Sequence, residues 1–168
     1  MNRIGENLIC TGTNQEVVEA LVQNGVEFVV VDGLAVSWHC ANRVADDMDL
    51  LVNPTRSNSE RLSGALNALH LNGFTNDSFA RPGIQAPLKQ LHYADLLTPR
   101  VDGPTYSEVA ADAVDAKLFN IPVRQVRQRG GLWQVWSVRS YPRRWTAPVT
   151  LLLASEIFGL CPWQFLQS

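Results

Sequence analysis

Apolar positions along the 168-residue chain change period several times, and each change marks an element. Val17, Val18, Leu21 and Val22 recur at helical spacing, after Thr13-Asn14-Gln15-Glu16, which has the form of a capping box, and before Asn24-Gly25, a helix stop. Val26, Phe28, Val29, Val30 and Val31 are β-branched or aromatic and nearly contiguous, which predicts a strand buried on both faces. Asp32-Gly33 interrupts that run. The next segment, Leu34 to Cys40, has two readings: a short helix leading to a second strand at Met48 to Val52, or the return arm of a hairpin turning on Asp-Gly. Ser57-Asn58-Ser59-Glu60 opens a further helix through Leu62, Ala65, Leu66 and Leu69 as far as Asn72-Gly73.

Residues 75 to 87, with Pro82, Gly83 and Pro87, read as a weak strand and a loop, and Leu91 to Leu97 as a third strand. Thr105-Tyr106-Ser107-Glu108 is another capping box, before Val109, Ala110 and Ala113, and Ile121 to Val126 closes the body as a strand. Beyond it the pattern weakens to a strand at Leu132 to Val138 and a helix at Leu151 to Phe158. The alternation predicts an α/β (α+β) fold, a mixed sheet flanked by helices over residues 1–126, with 127–168 a distinct segment packed on the same domain.

Composition sharpens this division. Residues 1–123 hold 8 basic and 15 acidic side chains, a net of −7, whereas 124–168 hold six arginines, no lysine and one acid, Glu156. Four of the five tryptophans, Trp133, Trp136, Trp145 and Trp163, lie in that basic tail. Arginine with tryptophan suits nucleic acid through phosphate pairing and base stacking, and equally suits docking on an acidic protein surface or a second copy. No apolar run approaches the roughly 20 residues that cross a bilayer, and the N-terminus lacks a secretory core, so a cytoplasmic protein without membrane contact is expected. Cys10, Cys40 and Cys161 form no CxxC pair, and His39, His70 and His92 no metal spacing, which makes these residues structural.

The chemistry gathers between residues 32 and 95. In an extended backbone Asp47 and Asp49 share one face, where two carboxylates suit a hard divalent cation. Asp95, central in the third strand, is costly to bury unless something positive meets it, and is a candidate third ligand. If a helix begins after Gly33, its free amides and positive end suit a phosphate. A solvated carboxylate pair is the plain alternative, and a hairpin would carry Gly33 away from any phosphate.

Taken together, the run VEFVVVDGLAVSWHCANRVADDMDLLVNPTRSNSERLSGALNALHLNGF resembles the small stand-alone nucleotidyltransferases of the polymerase-beta-like superfamily, including those paired in bacterial toxin–antitoxin systems. The likeness spans about residues 14 to 126. In that family a strand ends in glycine followed by glycine or serine, a helix comes next, a second strand bears two aspartates one residue apart, and a later strand bears a third carboxylate. The resemblance implies Gly33 in a phosphate loop with Arg43 beside the nucleotide, and Asp47, Asp49 and Asp95 as magnesium ligands and catalytic carboxylates. It also implies transfer of a nucleoside monophosphate from a nucleoside triphosphate to an acceptor hydroxyl on an RNA end, a protein or a small molecule. Asp32 replaces the pattern's first glycine, Ala45 a frequent threonine, and the tail lacks the usual lysine- and arginine-bearing helix. Those departures suit a second expectation, a binding module that keeps the scaffold and acts on a protein partner.

Overall fold

In a computed structural model of the chain, the described residues are 11–39, 45, 47–88 and 94–126. The chain divides into two compact units, Met1–Arg127 and Gln128–Ser168. The whole second unit, with the strand expected at 132–138, the helix at 151–158 and four tryptophans, lies outside the described residues, as do Cys10, Cys40, Arg43 and residues 91–93.

Ten elements are described, in chain order: α1 (Thr11–Gln23), β1 (Phe28–Val31), α2 (Asp32–His39), β2 (Met48–Val52), α3 (Arg56–Ala68), β3 (Gln85–Leu88), β4 (Ala94–Leu97), α4 (Tyr106–Ala111), β5 (Ala113–Leu118) and β6 (Ile121–Val126). The strands form one mixed sheet in the order β3-β4-β2-β1-β6-β5, so the molecule is α+β. β1 is antiparallel to β2 and parallel to β6, and β2 is parallel to β4. Pro87 fits β3 because a residue without an N–H is tolerated on an outer strand. Among the described residues no helix is long and apolar enough to cross a membrane.

Strand alternation gives the sheet two unlike faces. Phe28 and Val30, Met48, Leu50 and Val52, and Ala94 and Leu96 turn to one side and join Val17, Val18 and Leu21 of α1 and Leu62, Ala65 and Leu66 of α3 in the core. Val29, Val31, Asp49, Leu51, Asp95 and Leu97 therefore occupy the other face.

Several boundaries differ from the sequence reading. The run after Gly33 is the helix α2, which removes the hairpin. Thr13 lies inside α1, because Asn14 is fully buried and extends the stripe of Val17, Val18 and Leu21 back by a turn. Ser57 lies inside α3: Thr55 is extended and its hydroxyl accepts from the Asn58 N–H at 3.4 Å, which makes Thr55 the cap. The helix then stops before Gly73. His70 takes the left-handed conformation (φ 60°), with Leu71 N–H donating to the Leu66 carbonyl and His70 N–H to that of Asn67, a Schellman closure. Gly25 (φ 63°) ends α1 as expected, and Thr105 and Glu108 make both bonds of their capping box. Ala113, expected in the helix after that box, instead begins β5, which pairs with β6 through a two-residue turn at Phe119 and Asn120 (φ 53° and 64°).

Candidate functional site

Because β1 and β2 run in opposite directions, the end of one meets the beginning of the other, and Val31 lies opposite Asp49. β4 runs beside β2 in the same direction with Asp49 opposite Asp95. The end of β1, the first turn of α2 and the starts of β2 and β4 therefore share one end of the sheet. Asp49 is buried at 8% exposure. Asp95 is half-buried, and its Oδ2 accepts from Gln85 Nε2 at 2.8 Å, the two residues lying on one face of the β3–β4 pair. Asp47 sits in the bend just before β2, also half-buried.

Gly33 is in the first turn of α2, and a Cβ placed there would meet nothing within 4 Å among the described residues. Asp32 holds a left-handed backbone, φ 53°, which glycine adopts without strain and other residues do not. The chain thus keeps a glycine-like conformation at Asp32, but with a carboxylate attached. That charge favours the positive end of α2 and opposes any anion approaching it. Ala45 is buried, and Arg43 lies outside the described residues.

The sheet thus brings Asp49 and Asp95 into register and sets Asp47 and Gly33 at the same end. Among the described residues no group of three or more histidine, cysteine, aspartate or glutamate side chains is arranged to hold a metal ion by itself. Magnesium does not require such a group, since it ordinarily takes one or two carboxylates and completes its shell with water and substrate phosphate oxygens. The donors present, hard carboxylate oxygens on adjacent strands, fit that ion.

A second concavity, unforeseen from sequence, lies at the opposite end of β1. This groove of about 480 Å³ is lined by Val22, Glu27, Phe28, Tyr106, Ala110 and Arg124, among others. Glu27 receives Arg61 Nη2 at 2.9 Å and Asn53 Nδ2 at 2.7 Å. Burial, and secondarily the Glu27 carboxylate, push the Tyr106 phenol up to about 12. A tyrosine in the first turn of a helix gives no sequence signal of such a place. Comparison with family models, curated proteins and solved structures finds no match to this chain.

Proposed function

We propose that the chain transfers a nucleoside monophosphate from a nucleoside triphosphate to an acceptor hydroxyl, using magnesium. One observation carries this reading: Asp49 and Asp95 are register partners on parallel strands at the end of the sheet where β1 passes into α2, whose first turn holds Gly33. Carboxylates beside an accessible helix start are the parts that phosphoryl transfer uses for metal and phosphate. Asp49 and Asp95 would hold the ion, with Asp47 at the mouth of β2 as a further oxygen donor. Magnesium, when bound, neutralises the triphosphate and stabilises the departing pyrophosphate.

The α2 amides around Gly33 orient the phosphates, and the lack of a side chain on that glycine allows close approach. The acceptor oxygen bonds to the α-phosphorus, the bond to pyrophosphate breaks, and the hydroxyl proton passes to the Asp95 carboxylate. Among the described residues Gln85 engages Oδ2 of Asp95, so Oδ1 is the oxygen assigned to that exchange.

A binding module acting on a protein partner is the second reading, and Asp32 favours it. Its charge sits at the helix start where a triphosphate approaches. Calorimetry with magnesium and each nucleoside triphosphate separates the two. The transferase predicts saturable binding that disappears in the Asp47→Asn, Asp49→Asn double variant. Absence of binding with all nucleotides leaves the module.

A further inference from the structure

At the sheet margin away from β3, β5 is the outer strand among the described residues. The Phe119–Asn120 turn determines which of its backbone groups face outward. A two-residue turn with positive φ at both positions closes on a hydrogen-bonded pair, here Leu118 and Ile121, and antiparallel bonding alternates along the strand. Leu118, Ala116 and Val114 therefore direct their N–H and C=O groups to β6. Lys117, Asp115 and Ala113 direct theirs to the outside. Arg124 Nη2 donates to the Ala113 carbonyl at 2.9 Å, which agrees with this parity and occupies one end of the margin. Between that end and the turn lie Asp115 and Lys117, both exposed, opposite in charge and on one face of the sheet.

We infer that this margin joins two copies of the chain, antiparallel about a twofold axis at Ala116. In that register Asp115 of each copy lies opposite Lys117 of the other, and both residues direct their backbone groups outward. The seam closes four main-chain hydrogen bonds and two ion pairs at once. Moving the axis to Asp115 or to Lys117 preserves the hydrogen-bonding parity but sets two like charges face to face, which disfavours both slips. Asp115 already stands opposite Arg124 within its own chain, so each side of the seam reads Arg124, Asp115, then Lys117 of the second copy, with signs alternating. An unrelated strand has no reason to match that order; a second copy matches it by symmetry. The inference is independent of the transferase reading, since β5 lies two strands from β1.

Light scattering and sedimentation of the full chain over a range of concentrations test it. The expected result is a monomer–dimer equilibrium that weakens with salt. Asp115→Lys and Lys117→Asp, each alone, replace both attractive pairs by repulsive ones and raise the dissociation constant by about tenfold or more. Mixed in equal amounts, the two variants restore association. The lysine introduced at position 115 of the first then meets the aspartate introduced at position 117 of the second, and the native Lys117 of the first meets the native Asp115 of the second. Circular dichroism confirms that these exposed substitutions leave the fold intact. A chain monomeric at every concentration, a dimer insensitive to either reversal, or a mixture that fails to associate would each overturn the inference.

Discussion

Asp49 and Asp95 stand opposite one another on parallel strands, on the sheet face turned away from α1 and α3, with Asp49 buried and Asp95 half-buried. Like charges in directly opposed positions weaken a strand pair, on the order of 0.5 kcal/mol. The proposed cation, when bound, would offset that repulsion. Asp95→Asn is therefore expected to raise the stability of the ligand-free chain by about that amount in urea titration, while the new amide oxygen still accepts from Gln85. The same variant is expected to bind magnesium nucleotide about tenfold more weakly, the scale of one lost charged contact. Unchanged affinity would remove Asp95 from the site.

Asp32 poses the opposite problem. Its left-handed backbone costs about 1 kcal/mol, and its carboxylate repels a triphosphate while favouring the start of α2. In Asp32→Gly, relief of strain is offset by the lost helix-end charge and by the larger conformational entropy of unfolded glycine, so stability should change little. Nucleotide affinity should rise about five- to tenfold, because roughly 1 kcal/mol of repulsion at close range disappears. Calorimetry on this variant at low salt reads the effect directly; weaker binding would mean that the carboxylate assists the ligand.

These residues also show where sequence pattern stops being informative. Two aspartates one residue apart, and a third on a later strand, are legible as strand chemistry because side-chain alternation is local. That β4 settles beside β2 is not local, and only the sheet order brings Asp49 to Asp95. The run after Gly33 reads as helix and as hairpin arm alike because a short apolar segment satisfies both periods. Its outcome reflects the burial of Leu34, Ala35 and Ser37 together, a helical rather than alternating pattern. β5 escapes the sequence reading although Val114, Ala116 and Leu118 alternate with Asp115 and Lys117. Alanine, aspartate and lysine are weak strand formers, and Phe119-Asn120 carries no glycine to announce a hairpin. His70 likewise ends α3 in a conformation that the sequence advertises only at Gly73.

Gln125 is a polar residue in an apolar place. It lies opposite Val30 on the core-facing side of the sheet, fully buried, and neither its Oε1 nor its Nε2 has a hydrogen-bond partner among the described residues. An unpartnered buried amide costs about 1–3 kcal/mol, so Gln125→Met, which keeps the length of the side chain, is expected to stabilise the protein by roughly 1–2 kcal/mol. Urea denaturation with an unchanged slope would measure that gain. A loss of stability would show that the amide makes a necessary contact.

Tyr106 links the groove between α4 and β6 to alkaline stability. Burial first, and the Glu27 carboxylate second, raise its phenol from the ordinary 10.0 to about 12, with Arg124 acting in the other direction. Folding therefore favours the protonated ring. Below pH 10 both folded and unfolded chains carry that proton, and the contribution of Tyr106 is fully present. Between pH 10 and 12 the unfolded chain releases it first and binds fewer protons than the folded one, so stability falls as pH rises through this window. Tyr106→Phe has no proton to lose and should flatten that part of the stability curve, at some cost at neutral pH if the hydroxyl contributes there. Thermal unfolding of both proteins from pH 9 to pH 12 gives the comparison, and the difference between their tyrosinate absorbance titrations reports the Tyr106 ring itself. A ring that ionises near 10, with parallel stability curves, would mean that the groove is open enough for water to solvate the phenolate.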